Sequence, residues 1–209
     1  MNNAERKVSM GFTAEQFPAG THMCYIYNDD KERKELIARF LESGLNEKEK
    51  VGYFVDTLSP DEMRAQLREL GVRLPPEMDE RDFSITSAQE VYCPNGIFVP
   101  ENMLQTLRLA YKRSRDEGFP GIRVSGEMSW ALRGMPGSER LMEYEAGVNT
   151  VLQEYPVTAI CQYDARRFDG AMIFDVLNVH PMMIIRGQVV RNPYYIEPEK
   201  FFAQHRFCC

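Results

Sequence analysis

The chain has 209 residues, 44% hydrophobic and 27% charged, which is long enough for one well-buried core, short for two, and too apolar for disorder. A formal net charge of −6 and a pI near 5.2 argue against a DNA- or RNA-binding surface, because neutralising phosphate needs clustered Lys and Arg; any effect on transcription is expected to pass through another polypeptide. No apolar run reaches the length of a membrane span, the opening MNNAERKVSM lacks the apolar centre of a secretory signal, and Cys24, Cys93, Cys161, Cys208 and Cys209 are scattered, so a cytoplasmic protein with reduced thiols is expected.

After a lead-in over 1–16, MCYIYN (23–28) reads as a strand. KERKELIARFLESGL (31–45) follows as an amphipathic helix with Leu36, Ile37, Phe40 and Leu41 on one face. VGYFVD (51–56) is the next strand, and Ser59-Pro60 opens a second helix, since Ser caps well and Pro is tolerated in the first turn; Gly71 ends it. A Pro75-Pro76 loop and an acidic turn lead to FSITSAQEVY (83–92), whose β-branched and aromatic content predicts a strand. The third helix covers 101–118, IRVSGEMSW (122–130) is a short strand entering a loop, and a fourth helix over 137–155 is capped by Ser138. VTAICQYD (157–164) is a strand, FDGAMIFDVLNVH (168–180) a short helix, and MMIIRGQVVRN (182–192) a strand pair or a bent strand. The tail over 196–209 predicts a helix whose aromatics dock, on this chain or on a second copy. Strands alternating with helices of this length imply right-handed crossovers, hence a three-layer α/β domain over 1–209 with a mainly parallel sheet covered on both faces.

In such sheets ligands sit beyond the carboxyl ends of the strands, which points to Tyr27, Asn28 and Asp29, Asp56 and Thr57, Glu127 through Trp130, and Tyr163 with Asp164. FLESGLNEKEKVGYFVD resembles the corresponding segment of RecA-like ATPases of the KaiC type. Where those carry a glycine-rich phosphate loop, this chain has YIYNDDKERKEL, without glycine and with two aspartates that would repel a triphosphate. Glu127 falls where that family places its magnesium carboxylate, and without a phosphate loop this is half a site, so ATP hydrolysis is not expected.

GTHMCYIYNDDKER, with His22, Cys24 and Tyr27, resembles the opening of the MEDS domain, the methanogen/methylotroph DcmR sensory domain. The resemblance continues through GIRVSGEMSW, ERLMEYEAGVN, AICQYD and VHPMMIIRG, which contains His180, and it spans about 17–195. It implies a non-catalytic domain that senses simple hydrocarbon derivatives in prokaryotic signal transduction and acts through a partner such as a kinase or regulator.

The expected ligand-binding set is His22, Cys24, Tyr27, Glu127, Trp130, Cys161, Tyr163 and His180, aromatic and sulfur surfaces with a few polar anchors. Each also has an ordinary reading: core packing for Trp130 and Cys161, and a salt bridge to Arg123 or Arg133 for Glu127. His22 and Cys24 are two apart, so on a strand they share a face. They form an alternative Zn²⁺ pair that Cys161, His180 or Glu127 would complete, although no CxxC or HxxxH fixes the geometry. A further alternative is a thiol enzyme using Cys24 with His22 or Glu127. A free sheet edge and the aromatic tail make a homodimer an expectation as well.

Overall fold

The computed structural model describes residues 6–75 and 81–204, so the acidic turn and the Cys208-Cys209 pair lie outside the described residues. The lead-in forms a small antiparallel pair, β1 (Lys7–Ser9) with β2 (Gln16–Pro18). Then follow β3 (His22–Tyr27), α1 (Asp30–Asn46), β4 (Lys50–Val55), α2 (Pro60–Glu69), β5 (Phe83–Ser87), α3 (Ala88–Tyr92), α4 (Pro100–Asp116) and β6 (Ile122–Glu127). The remainder is α5 (Leu141–Glu154), β7 (Val157–Asp164), α6 (Gly170–Val179), β8 (Met182–Ile185), β9 (Gln188–Arg191) and α7 (Pro198–Gln204).

Among the described residues, seven strands form one sheet in the order β5-β4-β6-β7-β3-β8-β9, parallel except for the terminal β8–β9 hairpin. That hairpin closes through Arg186 and Gly187, both at positive φ (48° and 69°), the geometry a two-residue turn needs to match strand twist. Every residue of β6 and β7 is buried, as expected for central parallel strands covered on both sides.

Side-chain alternation sorts the core into two halves. Met23, Tyr25 and Tyr27 of β3 pack with Tyr53 and Ile160 under α1 and α2, where Leu36, Ile37, Phe40 and Leu41 form the expected stripe. Cys24, Cys161 and Tyr163 face α4, α5 and α6. Sequence-adjacent residues of one strand therefore serve different compartments.

The sequence and the structure differ at two places, and the tail resolves an open alternative. The 83–92 segment is strand only to Ser87, because its ladder partner β4 ends there at Val55; the chain then turns into α3, which buries Ala88 and Tyr92. Ser138 lies in a short 3₁₀ turn (Ser138–Arg140) and makes no side-chain cap; α5 begins at Leu141. The tail helix α7 docks on its own chain, with Phe201 against Ala146 of α5 and Val179 of α6. The predicted cap at Ser59 does form, as a reciprocal capping box with Glu62; at the start of α6, Asp169 accepts from the Met172 amide.

Candidate functional site

The predicted residues divide between two buried polar loci on opposite faces of the sheet. The first lies on the α1 side at the carboxyl ends of β4, β6 and β7. Arg33 stands within the apolar stripe of α1, and its Nη1 donates to Glu127 Oε1 at 2.6 Å, to Tyr53 Oη at 3.2 Å and to Gln162 Oε1 at 3.1 Å. Glu127 also accepts from Tyr53 Oη at 2.6 Å and, through Oε2, from the amides of Asp56 and Thr57 at 2.8 and 2.7 Å. Burial pushes the Glu127 carboxyl up, but Arg33 and these donors outweigh it and hold it below the ordinary range. Glu127 thus pairs with Arg33 rather than with the expected Arg123 or Arg133. Arg123 is taken by Glu49, and Arg133 lies on Asp56 at 2.8 Å. Tyr27 belongs to this face, with the Arg33 guanidinium 5.1 Å over its ring.

This first locus lies against the first turn of α1. Asp29 caps α1 by accepting from the Glu32 amide at 2.8 Å, and Asp30 and Glu32 add negative charge to the first turn. A helix start already capped and ringed by carboxylates does not fit a triphosphate.

The second locus lies on the α5 side and centres on Glu145, a fully buried carboxylate inside the apolar stripe of that helix. Glu145 Oε1 accepts from Tyr163 Oη at 2.8 Å. Glu145 Oε2 lies 3.3 Å from His22 Nε2, 3.5 Å from His180 Nε2 and 3.4 Å from Cys161 Sγ, and Cys161 Sγ lies 3.5 Å from His22 Nε2. The two imidazole centroids are 4.3 Å apart.

The far side of each imidazole is fixed. Asn149 Nδ2 donates to the carbonyls of Glu145 and Val179, which turns its Oδ1 toward His22 Nδ1 at 3.0 Å and makes that nitrogen the donor. His180 Nδ1 meets the Val176 carbonyl at 2.7 Å and must likewise carry a proton. In the neutral rings both Nε2 atoms therefore present lone pairs toward the same carboxylate oxygen. His180 Nε2 is buried and makes no hydrogen bond among the described residues.

The electrostatics of the cluster follow from this crowding. Burial, and then the neighbouring His22, push His180 below its ordinary value. Burial pushes Glu145 up, yet His180 and His22, when a protonated ring donates through Nε2, draw it well below the usual carboxylate range. Burial, followed by the Glu145 charge, raises the Cys161 thiol and the Tyr163 phenol.

His22, Cys161, Tyr163 and His180 thus converge as expected, while Cys24, Tyr27, Glu127 and Trp130 do not join them. Cys24 is Cys161's register partner, but its Sγ faces the Met182 carbonyl at 3.8 Å, and burial pushes its thiol up to about 12. A protonated, inaccessible thiol on the opposite face from Glu127 does not make the activated nucleophile of the thiol-enzyme alternative. Trp130 stacks on Tyr92 at 4.8 Å within an aromatic group that includes Phe98. Beside the cluster, a partly enclosed cavity of about 10 Å³ is lined by His22, Cys161, Phe54, Tyr92, Tyr144 and Val148, among others.

Glu145, Asn149 and Arg33 were not singled out from the sequence. A usable signal existed for two of them: Glu145 falls in step with Leu141, Tyr144, Val148 and Leu152, and Arg33 with Leu36, Ile37 and Phe40, a charge in an apolar stripe.

Comparison with known proteins agrees with this architecture. A KaiC-like protein of Pyrococcus horikoshii OT3 superposes with a TM-score of 0.61 at 19% identity, covering 85% of this chain and 79% of that one. The flagellar accessory protein FlaH of Methanocaldococcus jannaschii gives 0.61 at 12% identity, covering 88% and 83%. Such distant likenesses establish the fold, a three-layer RecA/KaiC-like α/β domain. The transcriptional repressor DcmR of Methylorubrum extorquens is 33% identical over 79 residues, 37% of this chain and 30% of the repressor's length. The model of the MEDS family, the methanogen/methylotroph DcmR sensory domain, matches residues 21–181, and the chain belongs to that family of sensory domains.

Proposed function

We propose that this domain senses a small organic molecule, a simple hydrocarbon derivative, in the apolar cavity beside the Glu145 cluster, and passes its state to a partner regulatory protein. The observation that carries this reading is the cavity itself: a partly enclosed, mainly apolar space under the sheet, with His22 and Cys161 in its wall. Its volume is about that of one water site, so an occupant is very small or displaces Tyr92, Tyr144 or Phe54 as it enters. Displacement offers a route outward. Tyr144 and Val148 line the cavity from α5, and the same helix supports Phe201 of α7 through Ala146, so a shift of α5 reaches the surface. The net charge of −6 favours a protein over nucleic acid as the immediate receiver.

Trp130 is the sole tryptophan and stacks on the cavity-lining Tyr92, which makes its fluorescence a local reporter. Titration of the full chain with one- to three-carbon alcohols, thiols and alkyl halides is expected to give a saturable change for at least one class. Val148→Phe, which fills the space, is expected to abolish it. A flat response to every class, or a response unchanged by Val148→Phe, removes this reading.

A further inference from the structure

We infer that His22, Glu145, Cys161 and His180 form a binding site for a single Zn²⁺ ion. Four candidate ligand atoms, two imidazole nitrogens, one carboxylate oxygen and one sulfur, lie within 4.8 Å of one another, and all four residues are buried. With ordinary Zn–N, Zn–O and Zn–S bonds, the edges of a tetrahedron of such atoms are about 3.4–3.6 Å. The four separations established above are 3.3 and 3.5 Å for N···O, 3.5 Å for N···S and 3.4 Å for S···O. Four of the six edges therefore match, and the other two, from His180 Nε2 to His22 Nε2 and to Cys161 Sγ, lie within 4.8 Å, so ligation needs only a small shift of the His180 ring.

The surroundings favour a cation over a hydrogen-bonded cluster. His22 and His180 donate their Nδ1 protons to Asn149 Oδ1 and the Val176 carbonyl, the outer contacts that orient metal-binding imidazoles and leave Nε2 as the ligand. Tyr163 holds Glu145 Oε1, leaving Oε2 to the cluster. What remains are two nitrogen lone pairs and an anionic oxygen facing one point, with His180 Nε2 buried and unsatisfied. A thiol can offer one proton to this group; a divalent cation meets all four atoms at once. The mixture of nitrogen, sulfur and oxygen donors suits Zn²⁺, whereas Ca²⁺ and Mg²⁺ take oxygen shells. As the Zn–S bond forms, the Cys161 thiol proton leaves to solvent.

The site unites four separate elements: β3 supplies His22, α5 Glu145, β7 Cys161, and the residue after α6 His180. Bound metal would thus tie α5 and the end of α6 to two central strands. The inference is independent of the sensory reading, since metal can bind whether or not an organic molecule enters the cavity.

The test uses full-length protein stripped with a chelator and then titrated with Zn²⁺ against a chromogenic competitor, with Co²⁺ as a spectroscopic substitute. One equivalent is expected to bind, with Co²⁺ giving the intense visible bands of tetrahedral geometry and a sulfur-to-metal charge-transfer band. Cys161→Ser is expected to remove the charge-transfer band, and His180→Gln and Glu145→Gln each to weaken binding. Asn149→Ala touches no ligand atom and removes the contact that orients His22, and a loss of about 10- to 100-fold is expected for it. Circular dichroism of each stripped variant separates lost ligation from lost folding. Cys208→Ser combined with Cys209→Ser is expected to leave binding unchanged. The inference is overturned if folded protein takes up no stoichiometric metal, if Cys161→Ser and His180→Gln bind as tightly as the parent, or if the Cys208/Cys209 double variant loses the ion. None of these results bears on the cavity titration.

Discussion

Two buried carboxylates sit on opposite faces of the same sheet and have different surroundings. Glu127 has donors on both oxygens: a guanidinium, a phenol and two backbone amides. Glu145 has one clear donor, Tyr163, and a second oxygen crowded by two imidazole nitrogens and a thiol. A saturated charge fastens a scaffold; an under-supplied one, whose neighbours have their other atoms committed, has the donor set proposed above to take a cation. By that contrast the α1-side locus is built as a structural network, and the α5-side locus is the one proposed to bind a ligand.

The comparison breaks most readily at Glu127. Replacing it with Gln sets an amide NH₂ against existing donors and leaves Arg33 buried without a counter-charge, so a loss of about 3–5 kcal/mol is expected in urea unfolding. A loss below about 1 kcal/mol would show that the network is not fastening the fold. The same residue sets a pH dependence. Its folded pKa lies below its ordinary 4.5, so its contribution is present above that value and disappears as pH falls through the folded value. The parent is therefore expected to lose stability in acid more steeply than Glu127→Gln; parallel pH profiles would contradict this.

Tyr163→Phe probes the well-supplied side of Glu145. It leaves Oε1 buried without its donor, and a cost of about 1–3 kcal/mol is expected by thermal or urea unfolding of metal-free protein. The smallest effect is expected at Glu145 itself. In metal-free protein at a pH where both rings are neutral, Glu145→Gln keeps an oxygen for Tyr163 and brings an NH₂ to the imidazole lone pairs, so stability there should stay within about 1 kcal/mol of the parent. A loss as large as that of Glu127→Gln would make the two loci equivalent and erase the distinction between them.

Much of this was legible in the sequence, for local reasons. The alternation of apolar strands with amphipathic helices gave the layers, and the lack of glycine at 25–36 removed the phosphate loop. His22, Cys161, Tyr163 and His180 were marked in advance. The pairing of His22 with Cys24 followed the period of a strand and was sound as geometry, since both face α5. Its limit is that a side chain's facing does not name its partner: Cys24 turns to the Met182 carbonyl, and the partners that reach His22 come from β7, α5 and the end of α6. Trp130 and Glu127 were placed beside the strand ends correctly, but three-dimensional packing gave one to an aromatic stack and the other to Arg33.

The sequence by itself determined the element types, the mainly parallel layered fold and the family likeness, because hydrophobic period, caps and turn residues act over a few positions. Tertiary structure alone decided that Glu145 meets two histidines more than 30 and 120 residues away in the chain. It also decided that Arg33 closes the opposite face and that the tail folds onto its own chain. Those contacts depend on strand order and register, and the side chains that satisfy or fail to satisfy a buried charge are fixed only when the sheet is assembled.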